Sequence, residues 1–141
     1  MKTDTIEIRV RYAETDQMGV AYNAHFLTYF EVARTEYLRK LGTAYRDLED
    51  KGFYLVVVEA YCKYLGPARY DDVLEVTTWV DRLRPTRIDF RHSVRRKAGQ
   101  SREGAVAEGH VVLACVNRDR RPQALPPEVT SVIDVADGPL I

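Results

Sequence analysis

Ile6, Ile8 and Val10 alternate with Glu7, Arg9 and Arg11, the two-residue period of a strand with one face toward a core. The period then lengthens. From Ala24 to Leu41, Phe26, Phe30, Ala33, Tyr37 and Leu41 recur at spacings of four, three, four and four, and Leu27 and Leu38 widen the same side, which predicts a well-buried helix. Asn23 is a favoured N-cap for it, and Gly42 stands where such a helix stops. The mixed segment Thr43 to Lys51 can add a short helix before Gly52. Four runs of strand composition follow: Phe53 to Tyr64, Val73 to Val80, Ile88 to Val94 and Ala105 to Val116, rich in β-branched and aromatic residues. In the third, Ile88, Phe90, His92 and Val94 share one side. Gly66-Pro67 and Arg84-Pro85 mark breaks, and Lys97-Ala98-Gly99-Gln100 a hairpin connection. Arg121 to Pro127 reads as a loop, and Glu128 to Val135 as a short strand or helix.

One early helix and five strands bury each other's apolar faces if an antiparallel sheet curves around the helix, an α+β solution. Periodicity alone equally fits a helix lying on a flat antiparallel sheet. A length of 141 residues suits one compact domain over 1–141, since two would leave each half very small. Twenty-one Lys and Arg against twenty-one Asp and Glu give no basic field, so nucleic-acid binding has no support from net charge. A basic segment leading into an apolar stretch and a long uncharged span are both missing from the sequence, so no membrane span is expected and a cytoplasmic location follows. Cys62 and Cys115 are too few and too far apart for a disulfide framework or zinc site and read as small apolar packing residues. His92 and His110 fall in strands as packing or polar sheet residues, and no metal cluster emerges.

The chemistry concentrates in Arg11-Tyr12-Ala13-Glu14-Thr15-Asp16-Gln17-Met18-Gly19-Val20-Ala21-Tyr22-Asn23-Ala24-His25-Phe26, where a carboxylate, a turn glycine and a helix start follow a strand. Gly19 allows a sharp turn or a close approach to a ligand. An isolated Thr15-Asp16 pair would be a turn whose carboxylate bonds local amides. This run, however, resembles the signature of the 4-hydroxybenzoyl-CoA thioesterase family, especially its branch of short bacterial acyl-CoA thioesterases associated with the Tol-Pal system. The resemblance continues through Glu31-Val32-Ala33-Arg34-Thr35-Glu36-Tyr37-Leu38, Pro67-Ala68-Arg69-Tyr70-Asp71-Asp72, Cys115-Val116 and Ala124-Leu125-Pro126, in order along nearly the whole chain.

The resemblance implies a hotdog fold, a long central helix wrapped by a curved five-stranded antiparallel sheet, and hydrolysis of an acyl-CoA thioester with water as cosubstrate and no cofactor. Asp16 takes the family's catalytic aspartate position, as nucleophile or as general base toward water. The backbone N–H of Asn23, at the positive end of the helix, would stabilise the oxyanion. The Tol-Pal branch usually has His at Asn23, so a side-chain role there is weakened, and His25 is an accessory whose direction on the helix differs. Tyr12 aligns with a tyrosine near the active site, although a tyrosine at a strand end is equally a packing residue. Glu31 could be a second acid or base, or a surface partner of Arg34. Arg84, Arg87 and Arg120, with Arg82 and Arg121, are candidate contacts for CoA phosphates. The family site lies between protomers, so a homodimer or homotetramer is expected. Two other functions compete. A hotdog hydratase or dehydratase could use His25 with Asp16 or Glu31, although the Asp, Asn and His spacing of such enzymes is absent. A non-catalytic acyl-CoA-binding module is opposed by the retention of Asp16.

Overall fold

A computed structural model describes residues 2–98, 104–136 and 138. The elements run β1 (Thr3–Arg9), a 3₁₀ turn (Tyr12–Glu14), α1 (His25–Lys40), α2 (Tyr45–Asp50), β2 (Tyr54–Tyr64), β3 (Val73–Leu83), β4 (Arg87–Arg96), β5 (Gly104–Val116) and α3 (Pro127–Thr130). The five strands form one sheet in the order β1-β3-β4-β5-β2, antiparallel throughout. Its edges are therefore β1 and β2. This is the hotdog arrangement, α1 held against the inner face of a five-stranded antiparallel sheet. Gly99 and Gln100 of the predicted hairpin connection lie outside the described residues. The predicted undecided element after Pro126 is the single turn α3, followed by a lone bridge from Val135 to Val80.

The helix buries Phe26, Tyr29, Phe30, Ala33, Arg34, Tyr37 and Leu38, which is the predicted apolar stripe rotated slightly. Leu27 is exposed instead, and Tyr29 and the charged Arg34 turn inward. On the sheet, Ile88, Phe90, His92 and Val94 are all buried on the side that meets α1: the Phe30 and His92 rings stack with centroids 4.6 Å apart, and Tyr37 meets Phe90 edge-on. This face removes most of its apolar area from water, the dominant favourable contribution to the fold. Gly109 on β5 permits the contact. A Cβ there would lie 2.5 Å from the Phe30 ring and 2.4 Å from the Tyr61 carbonyl oxygen, so any larger residue would push the helix off the sheet.

Asn23 does not cap α1. The N-cap position falls to Ala24, already helical at φ −64° and ψ −26°, with no side-chain cap. Backbone bonds close the turn instead, from His25 N–H to the Tyr22 carbonyl (3.0 Å) and from Phe26 N–H to the Asn23 carbonyl (3.2 Å), which removes the donors that an Asn side chain would have received.

Candidate active site

Between β1 and α1 the chain makes a tight turn. The Gly19 N–H donates to the Asp16 carbonyl (2.9 Å) and the Asp16 N–H to the Val20 carbonyl (3.0 Å), and Gly19 takes φ +76°, a conformation that costs any other residue. The turn is pinned from behind by bonds from Ala21 N–H to the Ala68 carbonyl (2.7 Å) and from Tyr22 N–H to the Glu14 carbonyl (2.8 Å).

The turn presents Asp16. Its Oδ1 accepts a bond from the Met18 N–H at 2.9 Å, which orients the carboxylate, while Oδ2 receives no hydrogen bond among the described residues. Asp16 opens onto a cleft of about 440 Å³ lined also by Tyr22, Asn23, Phe26, Tyr64 and Ala68. The α1 start supplies donors to the same cleft. His25, Phe26 and Leu27 N–H groups are taken by the carbonyls of Tyr22, Asn23 and Ala24, whereas the N–H groups of Asn23 and Ala24 have no acceptor among the described residues. From β2, the Tyr64 hydroxyl donates to the Asn23 carbonyl at 2.9 Å. Desolvation, followed by the neighbouring Cys62 thiol, pushes that hydroxyl up to about 12, so it stays a donor and holds the helix start in place. Asp16 and Asn23, whose N–H at the helix N-terminus has no acceptor among the described residues, thus line one cavity, an arrangement suited to proton abstraction or attack beside a developing oxyanion.

The other predicted groups stand apart from this cleft. Tyr12 is 77% exposed and packs edge-on against Tyr70 at 5.6 Å, because the 3₁₀ turn directs it outward. His25 packs edge-on against Tyr22 at 6.2 Å. Neither lines the cleft. His92 is a core residue: its Nδ1 pairs with the Thr78 hydroxyl at 2.9 Å, and burial, with the Arg34 charge nearby, pushes it down to about 3. Cys115 is buried and Cys62 half-buried, and burial pushes both thiols up, away from nucleophile behaviour.

Residues 10–133 match the thioesterase-like superfamily. The chain belongs to that superfamily. It is therefore a thioester hydrolase, and its relatives agree. An acyl-CoA thioesterase, YbgC, of Haemophilus influenzae is 36% identical over 124 residues, covering 86% of this chain and 88% of its own. Among solved structures, a DHNA-CoA thioesterase from Staphylococcus aureus superposes with a TM-score of 0.82 at 33% identity, over 89% of this chain and 82% of that one. A 4-hydroxybenzoyl CoA thioesterase superposes with a TM-score of 0.85, over 95% and 100% of the two chains, at only 19% identity, and so shares the fold.

In this thioesterase the three predicted arginines part company. Arg84 is tied to Asp89 at 2.5 Å across the β3–β4 turn. Arg87 and Arg120 instead meet at the far end of β2, in a cavity of about 860 Å³ lined also by Arg118, Tyr54, Val56 and Val116. Arg118 was missed by the sequence reading; the Asn117-to-Arg121 turn, closed by Asn117 Oδ1 accepting the Asp119 and Arg121 N–H groups, brings it there. Glu14 was also missed. It is buried, and accepts bonds from the Arg11 N–H (2.9 Å), the Arg11 Nε (3.2 Å) and the Tyr29 hydroxyl (2.9 Å). Burial pushes its carboxyl up, but these bonds and the Arg11 charge outweigh it, so the net shift is downward. Its signal was the spacing of Arg11 and Glu14, which reads as an ordinary surface pair until Tyr29 turns inward. The predicted Glu31–Arg34 surface pair does not form: Arg34 is buried, and no ion pair joins it to Glu31 among the described residues. No helix of the described residues is long and apolar enough to cross a membrane.

Proposed function

We propose that this thioesterase hydrolyses an acyl-CoA thioester to the free acid and CoA, with Asp16 as nucleophile or general base. The observation that carries this reading is that Asp16 and Asn23, whose N–H has no acceptor among the described residues, line one cleft. The thioester carbonyl oxygen accepts the Asn23 N–H, and attack converts it to an oxyanion stabilised there. Either Asp16 Oδ2 takes a proton from the attacking water, or Oδ2 itself attacks and water later cleaves the mixed anhydride. In both routes the C–S bond breaks and CoA leaves as a thiolate that gains a proton. Tyr12 and His25 lie outside the cleft lining and take no chemical step in this reading.

Arg87 and Arg120, joined by Arg118, hold the CoA phosphates by charge-assisted bonds, and Arg84 is committed to Asp89. Tyr54 and Tyr64 bound β2, which spans roughly 30 Å at about 3.3 Å per residue, so the arginines at the Tyr54 end are remote from the Asp16 cleft at the Tyr64 end of the same chain. Antiparallel pairing of two β2 edges would bring one chain's arginines to its partner's Asp16. Val56, Val57 and Val58 on that open edge are all exposed, as an edge awaiting a partner would be. We therefore read the chain as one domain, acting in the cytoplasm as a homodimer or homotetramer. The sequence segments that resemble the Tol-Pal-associated branch support membership of that branch.

The test is CoA release from short, long and aromatic acyl-CoAs by the native chain and by Asp16→Asn. Hydrolysis by the native chain, lost in the variant, supports the reading; no hydrolysis across the panel by the native chain overturns it and favours ligand binding without turnover. Arg87→Ala together with Arg120→Ala should raise KM for an acyl-CoA by about tenfold or more, the scale of a lost bond to a charged group, with little change for the matching acyl-pantetheine.

A further inference from the structure

Arg34 carries a buried charge that no ion pair matches among the described residues. It is 7% exposed, its Nε has no hydrogen-bond partner, and no carboxylate pairs with it among the described residues. Its neighbours are the Tyr45 hydroxyl, which accepts a hydrogen bond from it, and the His92 imidazole, both neutral, while Glu31 acts on the same Tyr45 hydroxyl without forming an ion pair with Arg34. A guanidinium does not shed its proton, and buried cations are as a rule matched by an anion or by several acceptors.

The side chain borders a cavity of about 200 Å³, in which Leu27, Glu31 and Arg34 of α1 face Val57 and Ala60 of β2 and Val111 of β5. Asn23, Leu27, Glu31 and Arg34 follow one another at spacings of four, four and three, one stripe of the helix. Opposite them, Tyr64 faces the Asn23 end, and Ala60 and Val57 continue along β2. The two cavities thus follow one another along the seam between α1 and β2. Side chains on a helix lean toward its N-terminus, which returns the Arg34 head to about the level of Thr28 to Glu31. That is roughly 8–12 Å along the axis from Asn23 at 1.5 Å per residue.

We propose that the Arg34 cavity receives the far end of the acyl group and selects acyl groups of this length that end in a hydrogen-bond-accepting oxygen over those that end in hydrocarbon. The inference rests on the thioester carbonyl lying at Asn23 beside Asp16. The seam between the two points, past Leu27 and Ala60, is apolar and suits a hydrocarbon or aromatic body. At its end Arg34 donates and Glu31 accepts. A terminal hydroxyl satisfies both, whereas a terminal carboxylate gains Arg34 but meets the Glu31 charge.

Three CoA thioesters of equal length test this: octanoyl, 8-hydroxyoctanoyl and the half-ester of octanedioic acid. The native enzyme should give a kcat/KM about tenfold or more higher for the hydroxyl-ended thioester than for octanoyl-CoA, with the carboxylate-ended one between them. Arg34→Met should bring the hydroxyl ratio close to one and drop the carboxylate arm below octanoyl-CoA, because the Glu31 charge remains, and Glu31→Gln should raise the carboxylate arm above the hydroxyl arm. A native enzyme that shows no preference, or an Arg34→Met variant that keeps it, overturns the proposal. So does an Arg34→Met variant that changes oligomeric state with the ratios intact, which would assign Arg34 to a second copy of the chain. If Arg34→Met does not fold, the native ranking decides. Binding of the three thioesters to Asp16→Asn separates the subsite from the chemistry: the same ranking there supports the subsite even if turnover fails, and equal binding rejects it.

Discussion

Glu14 and Asp16 stand two residues apart on the same loop and have opposite fates. Glu14 faces the core, where Arg11 and Tyr29 surround it and hold its carboxyl below its ordinary range. Asp16 faces solvent and the cleft, with one oxygen oriented by the Met18 N–H and the other unengaged. A carboxylate whose oxygens are consumed by the protein braces the loop, while one that is aimed but not consumed can act on a substrate. The difference arises where the 3₁₀ turn ends: Glu14 is its last residue and turns inward, whereas Asp16 lies beyond it, in the turn closed by Gly19 and Val20.

Asp16→Asn should separate the two roles most sharply. Asn keeps the oxygen that accepts the Met18 N–H, so the melting temperature should stay within a degree or two of native, while hydrolysis falls by about 10²–10⁴-fold, the usual worth of a positioned base. Equal loss of stability and activity would place Asp16 with Glu14 as a bracing residue. Glu14→Gln should do the reverse, costing about 1–3 kcal/mol in chemical denaturation by weakening bonds to a charged acceptor in a buried place, with activity reduced only through displacement of the loop.

That cost should depend on pH. The folded-state value of Glu14 lies below its ordinary 4.5, so its contribution is present in full above pH 4.5 and lost as pH falls through the lower folded value. The stability gap between native and Glu14→Gln proteins should therefore shrink on acidification below 4.5; a gap independent of pH would mean that Glu14 is not held as the anion. Smallest of all, Tyr29→Phe should cost about 1 kcal/mol, one hydrogen bond, and should cost less once Glu14 is already Gln, because the neutral amide oxygen is a weaker acceptor of the same bond.

The strands, the long helix and the turn carrying Asp16 were legible because each depends on local periodicity or on a residue with special backbone freedom. The inner face of β4, Ile88 through Val94, could be read directly from alternation. The helix face was read with a small rotation, since Tyr29 has an apolar ring that can be buried once its hydroxyl finds Glu14, and only the tertiary contacts decide that it, not Leu27, is covered. Gly109 gave no warning of its role: nothing local reveals that Phe30 will sit against it. The arginines show the same limit from the electrostatic side, where one sequence cluster divides into a strapped Arg84, a convergent pair in Arg87 and Arg120, and an unforeseen third member in Arg118.

Residue order thus determined the elements of this thioesterase, the turn at Gly19 and the carboxylate that follows β1, because those follow from side-chain period and backbone sterics within a few residues. Which donors remain free at the start of α1, which of two neighbouring carboxylates is buried, and that Arg34 turns inward without an ion pair among the described residues were decided only by the tertiary structure. Hydrogen-bond satisfaction and burial depend on groups distant in sequence, and they exist only once the helix and sheet have met.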